Sequence, residues 1–270
     1  MEDSILSIFL KKEMERINGK LIDIAHGITP NSQRYSMFDF HYYFMIGQSS
    51  VDSAFRQKRR YGNTKIVKAG SFRMDKEFTL PINKESKKLV FFSSWLRKDI
   101  RGIILKNYNL LAKWARVQQN YNLAIKLHPL EEESIIKSIF KNIPNVTFLP
   151  KEISMKVALA DVSLALGMWS CALIDAAVLN RPVVIINDSD MEDFLELENY
   201  FLPRARTVEE IQERVEETFA RYDEYLERTR YFVSRHLEHT VDSVRYIASC
   251  IKSISEGKED FDCTKGRIQA

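Results

Sequence analysis

The stretch that decides the fold covers residues 161–187 and reads DVSLALGMWSCALIDAAVLNRPVVIIN. Residues 162–166 and 183–186 are short apolar runs, which predict strands buried on both faces of a sheet. Residues 171–179 between them have helical spacing, and Pro182 ends that helix because it disfavours helical backbone in the residue before it. Two strands joined by one helix indicate a parallel sheet, whose ligands bind at the carboxyl ends of the strands.

The same alternation of strand and helix extends over residues 89–253 and predicts a doubly wound, Rossmann-like α/β domain. We expect this domain to cover residues 77–256. A partial α/β portion with about three strands precedes it, at residues 1–76, and the last helix is expected to pack back on that portion. Residues 257–270 are polar and are predicted to form a frayed tail.

The composition is that of an ordinary globular protein, with 45% apolar and 29% charged residues. The net charge of +3 is the small difference between 40 basic and 37 acidic residues, so it does not indicate nucleic-acid binding. The 3 cysteines are far apart, which argues against a disulfide framework or a zinc site and fits a reducing compartment. No apolar run is long enough for a membrane span. We therefore predict a cytoplasmic protein that binds no nucleic acid.

A basic cluster, RQKRR, occupies residues 56–60 on a predicted helix. Its simplest interpretation is a solvated face, because no aromatic residues are interleaved with the charges as in single-strand nucleic-acid sites. Contact with an anionic membrane surface or an anionic polymer acceptor is the alternative.

The turn at residues 167–170 lies at the carboxyl end of a predicted strand. Its amides and the Ser170 hydroxyl open a helix N-terminus, where an anion is favoured. Asp175 follows within the helix. Two interpretations stay open: an anion site, or a plain N-cap at Ser170 with Asp175 as a solvated helix residue.

Two histidines also follow predicted strands. His26 comes after LIDIA and His128 after LAIKL, so each is expected at the carboxyl edge of a sheet. The remaining histidines, His41, His236 and His239, have no such placement and are predicted to be structural or on the surface.

These residues suit the handling of a phosphate-bearing donor. A phosphate leaving group needs amide and hydroxyl donors and often an imidazole contact, which Ser170 and His128 could supply. A ribose needs an acceptor for its hydroxyls, and Asp175 has suitable reach. A hydroxyl nucleophile needs a base that titrates near neutrality, as histidine does, and His26 is the candidate.

Other chemistries lack their motifs. The sequence contains no GxGxxG after a strand, no GxxxxGK[ST], no HExxH and no GxSxG elbow. This argues against a dinucleotide fingerprint, a P-loop, a zinc protease and an α/β-hydrolase.

The ordered motifs resemble those of the CDP-glycerol glycerophosphotransferase-like enzymes and the related capsule polysaccharide transferases of the GT-B fold. The matching residues are His26-Gly27, Gly70-x-x-Arg73-x-Asp75, Ser94-Trp95, Lys126-Leu127-His128-Pro129, and Ser170-Cys171 with Asp175 before Asn180-Arg181-Pro182. Bacterial sialyltransferases of this fold also carry an HP motif and a serine motif for the CMP phosphate.

The resemblance implies a role for each matching residue. His26 would be the base or an acceptor-side residue, His128 and Ser170 would contact the donor phosphates, and Asp175 the ribose. Ser94 and Arg73 match further donor-site motifs. The sequence departs from the family pattern at four places: Met168 replaces an Asp, Cys171 a Ser and Phe72 a Pro, and the family arginine is displaced to Arg97.

The implied function is an inverting, metal-independent transfer of a sugar or polyol phosphate in surface polysaccharide assembly. The donor would be CDP-, CMP- or UDP-linked, the acceptor a saccharide or a lipid-linked molecule, and no cofactor would be needed. Two alternatives stay open: a non-catalytic nucleotide-sugar-binding subunit or fragment, and a nucleotide-sugar epimerase of similar fold.

The resemblance also carries expectations about partners. In a GT-B enzyme a whole acceptor-binding domain precedes the HG motif, whereas 25 residues precede His26 here. A partner that supplies the acceptor domain is therefore one expectation. Peripheral association with the inner face of the cell membrane is the other.

Overall fold

The structure is a computed structural model that describes residues 5–30, 38–57, 62–94 and 98–265. It divides into two compact units. Unit 1 consists of Met1–Phe78 with Val233–Ala270, and unit 2 is Thr79–Phe232. Both units are α/β, as the sequence predicts.

The described residues form nine strands and nine α-helices. The strands are β1 (Ile22–Ile24), β2 (Tyr42–Met45), β3 (Lys65–Lys68), β4 (Lys88–Phe92), β5 (Asn122–Lys126), β6 (Val146–Leu149), β7 (Leu164–Gly167), β8 (Val183–Ile185) and β9 (Thr264–Lys265). The helices are α1 (Ile5–Arg16), α2 (Gln48–Arg56), α3 (Arg101–Val117), α4 (Glu133–Ile139), α5 (Met155–Leu159), α6 (Ala172–Val178), α7 (Val208–Ala220), α8 (Tyr222–His236) and α9 (Ser243–Ser255).

The sheet of unit 2 has five parallel strands in the order β6-β5-β4-β7-β8. The chain adds strands outward from β4 through β5 to β6, then returns to the other side of β4 with β7 and β8. The strand order therefore reverses between β4 and β7. In an open α/β sheet this reversal opens a crevice at the carboxyl ends, where ligands bind.

The stretch that decides the fold forms β7, α6 and β8, as predicted. The residues of β7 and β8 are all buried, in keeping with their wholly apolar sequence. Gly167 permits close packing at the end of β7, because a Cβ there would lie 3.1 Å from Cδ2 of Leu173. Helix α6 thus turns its Leu173 side onto the sheet immediately after the loop.

Arg181 follows α6, and its side chain lies in the core. It is fully buried, and its guanidinium donates to the carbonyls of Leu159 (3.0 Å), Leu179 (2.9 Å) and Pro81 (2.9 Å). Burial lowers its pKa. The side chain satisfies carbonyls at the ends of two helices and in the segment leading to β4, which is a structural role.

The sheet of unit 1 is smaller. Strands β1, β2 and β3 are parallel, and β9 pairs antiparallel with β3. The apolar side of α9 packs on this sheet, with Ile247, Cys250 and Ile254 in one cluster with Phe44 and Val67. The last helix therefore packs on the N-terminal portion, as expected.

The boundaries differ from the predicted 76/77 and 256/257. The first lies at Phe78/Thr79 and the second at Phe232/Val233, so residues 233–256 belong to unit 1. The reason is the apolar face of α9, which is buried against β2 and β3. Sequence periodicity shows that such a face exists but not which sheet it covers.

The prediction of a frayed tail over residues 257–270 is wrong for its described part. Thr264 and Lys265 form β9, and Glu259 accepts hydrogen bonds from the Tyr42 hydroxyl and the Lys65 ammonium group. Phe261 packs edge-on against Tyr42 with ring centroids 6.0 Å apart. The Phe261 ring and the Glu259 carboxylate therefore attach this segment to β2 and β3, although most of its residues are polar.

No helix within residues 5–30, 38–57, 62–94 and 98–265 is long and apolar enough to cross a membrane. Of the basic cluster at residues 56–60, Arg56 ends α2 and Gln57 follows it, whereas residues 58–60 lie outside the described residues. Contact of this cluster with a membrane stays a prediction.

Candidate functional site

Three of the predicted donor-site residues, Ser94, His128 and Ser170, follow three adjacent strands of unit 2. Phe92 of β4 pairs with Lys126 of β5 on one side and with Gly167 of β7 on the other. The three strands therefore end together, at the point where the strand order reverses. Ser94, His128 and Ser170 come within three residues of these ends. The topology brings these three residues to one edge of the sheet.

The loop after β5 is held by its neighbours. The backbone N–H of His128 donates to the hydroxyl oxygen of Ser93 (2.7 Å), which follows β4. From the end of β6, the Lys151 ammonium group donates to the carbonyl of Glu131 (2.9 Å). The backbone at His128 is thus fixed from the strands on both sides.

A hydrogen bond within the same loop sets the tautomer of the His128 imidazole. Its Nδ1 accepts a hydrogen bond from the backbone N–H of Leu130 (3.2 Å), so Nδ1 carries no proton. Burial, and secondarily the charge of Lys151, lower the pKa of His128. The ring is therefore neutral near pH 7 with its proton on Nε2, and it offers a hydrogen-bond donor suited to a phosphate oxygen.

Ser94 offers a hydroxyl group that the described part of the protein leaves unsatisfied. The residue is 7% exposed, and its Oγ is buried with no hydrogen-bond partner among the described residues. Its backbone is held, since the N–H donates to the Tyr108 hydroxyl (3.0 Å) and the carbonyl accepts from it (2.8 Å). A buried hydroxyl without a partner is costly, which makes Ser94 a candidate for a hydrogen bond to a ligand, and its donor-site role stays a prediction.

The turn after β7 places the Ser170 hydroxyl at the start of α6. Cys171 is the N-cap residue of α6, and the Ser170 hydroxyl oxygen accepts from the backbone N–H of Ala172 (3.3 Å). Ser170 is half-buried and its hydroxyl proton can still be donated. Its contact with the N–H two residues on is that of a helix-capping serine, as the N-cap interpretation expects, and the role of Ser170 in an anion site stays a prediction.

Asp175 lies in the first turn of α6 and is 6% exposed. It is not the solvated helix residue of the alternative interpretation. Acidic side chains are seldom buried unless they are paired, and Asp175 interacts with other groups of the protein. Its role toward a ribose stays a prediction.

His26 and Arg73 belong to unit 1. His26 follows β1 and Arg73 follows β3, so both lie toward the carboxyl edge of that sheet, and both are exposed. The end of β2 between them is covered by the chain itself, because a Cβ on Gly47 would lie 2.5 Å from the carbonyl oxygen of His236. Arg73 is thus in a different unit from Ser94, His128 and Ser170.

The other histidines have structural contacts, as predicted. Nδ1 of His41 accepts from the Leu21 N–H (2.8 Å), and Nδ1 of the fully buried His236 lies 2.8 Å from the Ser49 hydroxyl. His239 stacks on Tyr246 with ring centroids 3.7 Å apart.

The residues at which the chain departs from the family pattern are dispersed. Met168 is buried, Cys171 is half-buried and Phe72 is exposed, whereas Arg97, like the matching residue Trp95, lies outside the described residues. Within the described ranges, no group of histidine, cysteine, aspartate and glutamate side chains could hold a metal ion.

Sequence analysis missed one buried residue at this edge. Glu131 lies in the loop before α4, which begins at Glu133. It is 4% exposed and accepts a hydrogen bond from the Ser93 hydroxyl (3.2 Å). The available signal was its position three residues after His128.

Comparison with known proteins was informative only at the level of structure. No known family profile matches the chain, and no curated protein matches it in sequence. UDP-GlcNAc 2-epimerase from Neisseria meningitidis, solved with UDP-GlcNAc bound, is similar with a TM-score of 0.56 and 13% identity, over 92% of this chain and 80% of the epimerase.

Two other similar structures are of transferase or polymerase type. A variant of the wall teichoic acid polymerase TagF has a TM-score of 0.54 and 15% identity, over 81% of this chain and 59% of the polymerase. CalG4, the calicheamicin glycosyltransferase, has a TM-score of 0.50 and 12% identity, over 80% of this chain and 51% of CalG4. The shared architecture is the GT-B type with Rossmann-like units, which confirms the predicted fold class.

Proposed function

We propose that the carboxyl edge of β5, β4 and β7 binds the phosphates of a nucleotide-activated donor, and that the protein is an enzyme acting on that donor. The supporting observation is the convergence of the neutral His128 imidazole, the buried Ser94 hydroxyl and the Ser170 hydroxyl at the strand-order reversal. All three can donate hydrogen bonds to phosphate oxygens, and none adds a competing negative charge.

The reaction we favour is transfer of a sugar or polyol phosphate from a CDP-, CMP- or UDP-linked donor to a saccharide or lipid-linked acceptor. The similarity to TagF and the motif order support this class. His128, Ser170 and Ser94 would bind the donor phosphates, Asp175 would bind the ribose, and Arg73 would assist on the donor side. His26 would act as the base or bind the acceptor. Surface polysaccharide assembly and contact with the inner membrane face belong to the same proposal.

A second candidate is a nucleotide-sugar epimerase. The observation in its favour is coverage, since this chain matches 80% of the meningococcal epimerase but 59% of TagF. Both candidates use the same donor site, so the geometry of unit 2 does not separate them. A non-catalytic nucleotide-sugar-binding subunit would also keep this site.

An assay of donor consumption separates the three candidates. Purified protein is incubated with UDP-GlcNAc and with CDP-glycerol, each with and without an oligosaccharide or lipid-linked acceptor. We expect release of nucleotide that depends on the acceptor. A changed sugar on intact nucleotide without acceptor would instead identify an epimerase. Binding of nucleotide without any turnover, also after addition of candidate partner proteins, would identify the binding subunit.

A further inference from the structure

One buried carboxyl group connects two loops of the donor site. Oε2 of Glu131 accepts from the Ser93 hydroxyl (3.2 Å) after β4 and from the Tyr108 hydroxyl (3.1 Å) of α3. The backbone N–H of Glu131 donates to the carbonyl of His128 (2.9 Å) after β5. Glu131 therefore contacts both strand ends that carry predicted donor-site residues.

The carboxylate fixes the direction of the Ser93 hydroxyl. A carboxyl oxygen that carries no proton only accepts hydrogen bonds, so the Ser93 hydroxyl proton points at Oε2 of Glu131. The lone pairs of Ser93 are then free to accept the backbone N–H of His128 (2.7 Å). Without the carboxylate, the hydroxyl could rotate and donate elsewhere, and the loop after β5 would lose a fixed attachment to β4.

The link to Ser94 passes through Tyr108. This hydroxyl accepts the Ser94 N–H (3.0 Å) and has one proton for either the Ser94 carbonyl (2.8 Å) or Glu131. Burial and the charge of Glu131 raise the pKa of Tyr108, so the hydroxyl stays protonated. The backbone of Ser94 is thereby connected to the same carboxylate.

We propose that Glu131 is a positioning residue for donor binding, which holds the loops of Ser94 and His128 in the geometry that phosphate recognition needs. The inference rests on the proposed function of this edge. A buried carboxylate is costly, and an apolar side chain could fill the same space at less cost to stability. Orientation of the two loops therefore explains a carboxylate at this position better than a contribution to folding stability does.

The test compares nucleotide affinities by calorimetry, well below the melting temperature of each variant, with UDP and CDP as probes. We expect Glu131→Gln to raise Kd about tenfold, which corresponds to about 1.4 kcal/mol. The amide keeps one acceptor but loses the charge that strengthens both hydrogen bonds. Glu132→Gln is the matched control, since the exposed Glu132 forms a surface ion pair with Arg101, and its Kd should equal that of the wild type.

Two further variants make the result decisive. Ser93→Ala removes the link without altering a buried charge, and it should raise Kd similarly even if Glu131→Gln fails to fold. In a His128→Ala background, Glu131→Gln should cost clearly less than tenfold, because part of its effect passes through the imidazole.

The possible outcomes separate this inference from the function beneath it. Wild-type affinity in folded Glu131→Gln and Ser93→Ala, or an equal loss with and without His128, would overturn the positioning role alone. A purely structural Glu131 would lower the melting temperature and leave Kd unchanged. A wild type that binds neither nucleotide would overturn the proposed function and this inference together.

Discussion

Replacement of His26 by alanine should lower the rate of group transfer about a hundredfold or more, the usual cost of a lost general base. His26 is exposed at the end of β1, in a unit separate from Ser94, His128 and Ser170. If it serves the acceptor, its loss should leave nucleotide affinity almost unchanged. The measurement is donor consumption with a lipid-linked or oligosaccharide acceptor, together with calorimetry of UDP and CDP binding.

The control for this experiment is a second histidine of unit 1. His239→Asn removes an imidazole that stacks on Tyr246, and asparagine tolerates the left-handed backbone at this position (φ 56°). Transfer should continue at the wild-type rate in this control. Full activity of His26→Ala would show that His26 is not the base, even if the protein is a transferase.

The combined substitution His128→Ala with Ser170→Ala should weaken nucleotide binding about a hundredfold or more. Each side chain offers one hydrogen bond to a charged phosphate, and such bonds contribute about 1.5–3 kcal/mol apiece. In the wild type, nucleotide at a hundred times Kd should stabilise the protein by about 2.7 kcal/mol, and the double variant should lose most of that stabilisation. Thermal denaturation with and without CDP, CMP or UDP measures both effects.

Ser138→Ala serves as the control for the double variant, because Ser138 is exposed on unit 2 and its hydroxyl donates to the carbonyl of Ile135 in the same helix. This variant should keep the full nucleotide-dependent rise in melting temperature. If the double variant keeps the full rise as well, the phosphates do not bind at His128 and Ser170.

The sequence was sufficient to predict which residues end the strands. Apolar runs stop at Gly167, at His128 and at the serines after β4, and turn residues follow each run. Their common edge then followed from the parallel arrangement alone. The order of strands, which puts β4 between β5 and β7, depends on contacts between distant segments that no local pattern encodes.

Side-chain contacts between residues far apart in the sequence could not be predicted from the sequence. Glu131 meets Tyr108 across 23 residues and Ser93 across 38. In the sequence, it looks like one of three consecutive glutamates at the start of a helix. Only the tertiary fold distinguishes the buried Glu131 from the exposed Glu132, and the same holds for Glu259, which holds the tail to β2 and β3.

A crystal structure of the protein with UDP or CDP bound is the most direct test of the proposed donor site. We expect phosphate oxygens within hydrogen-bond distance of Nε2 of His128 and of the hydroxyls of Ser94 and Ser170. We also expect the nucleotide to lie where the strand order reverses, between β4 and β7. A nucleotide bound elsewhere, for example near Arg204 and Arg214, or none bound at millimolar concentration, would contradict it.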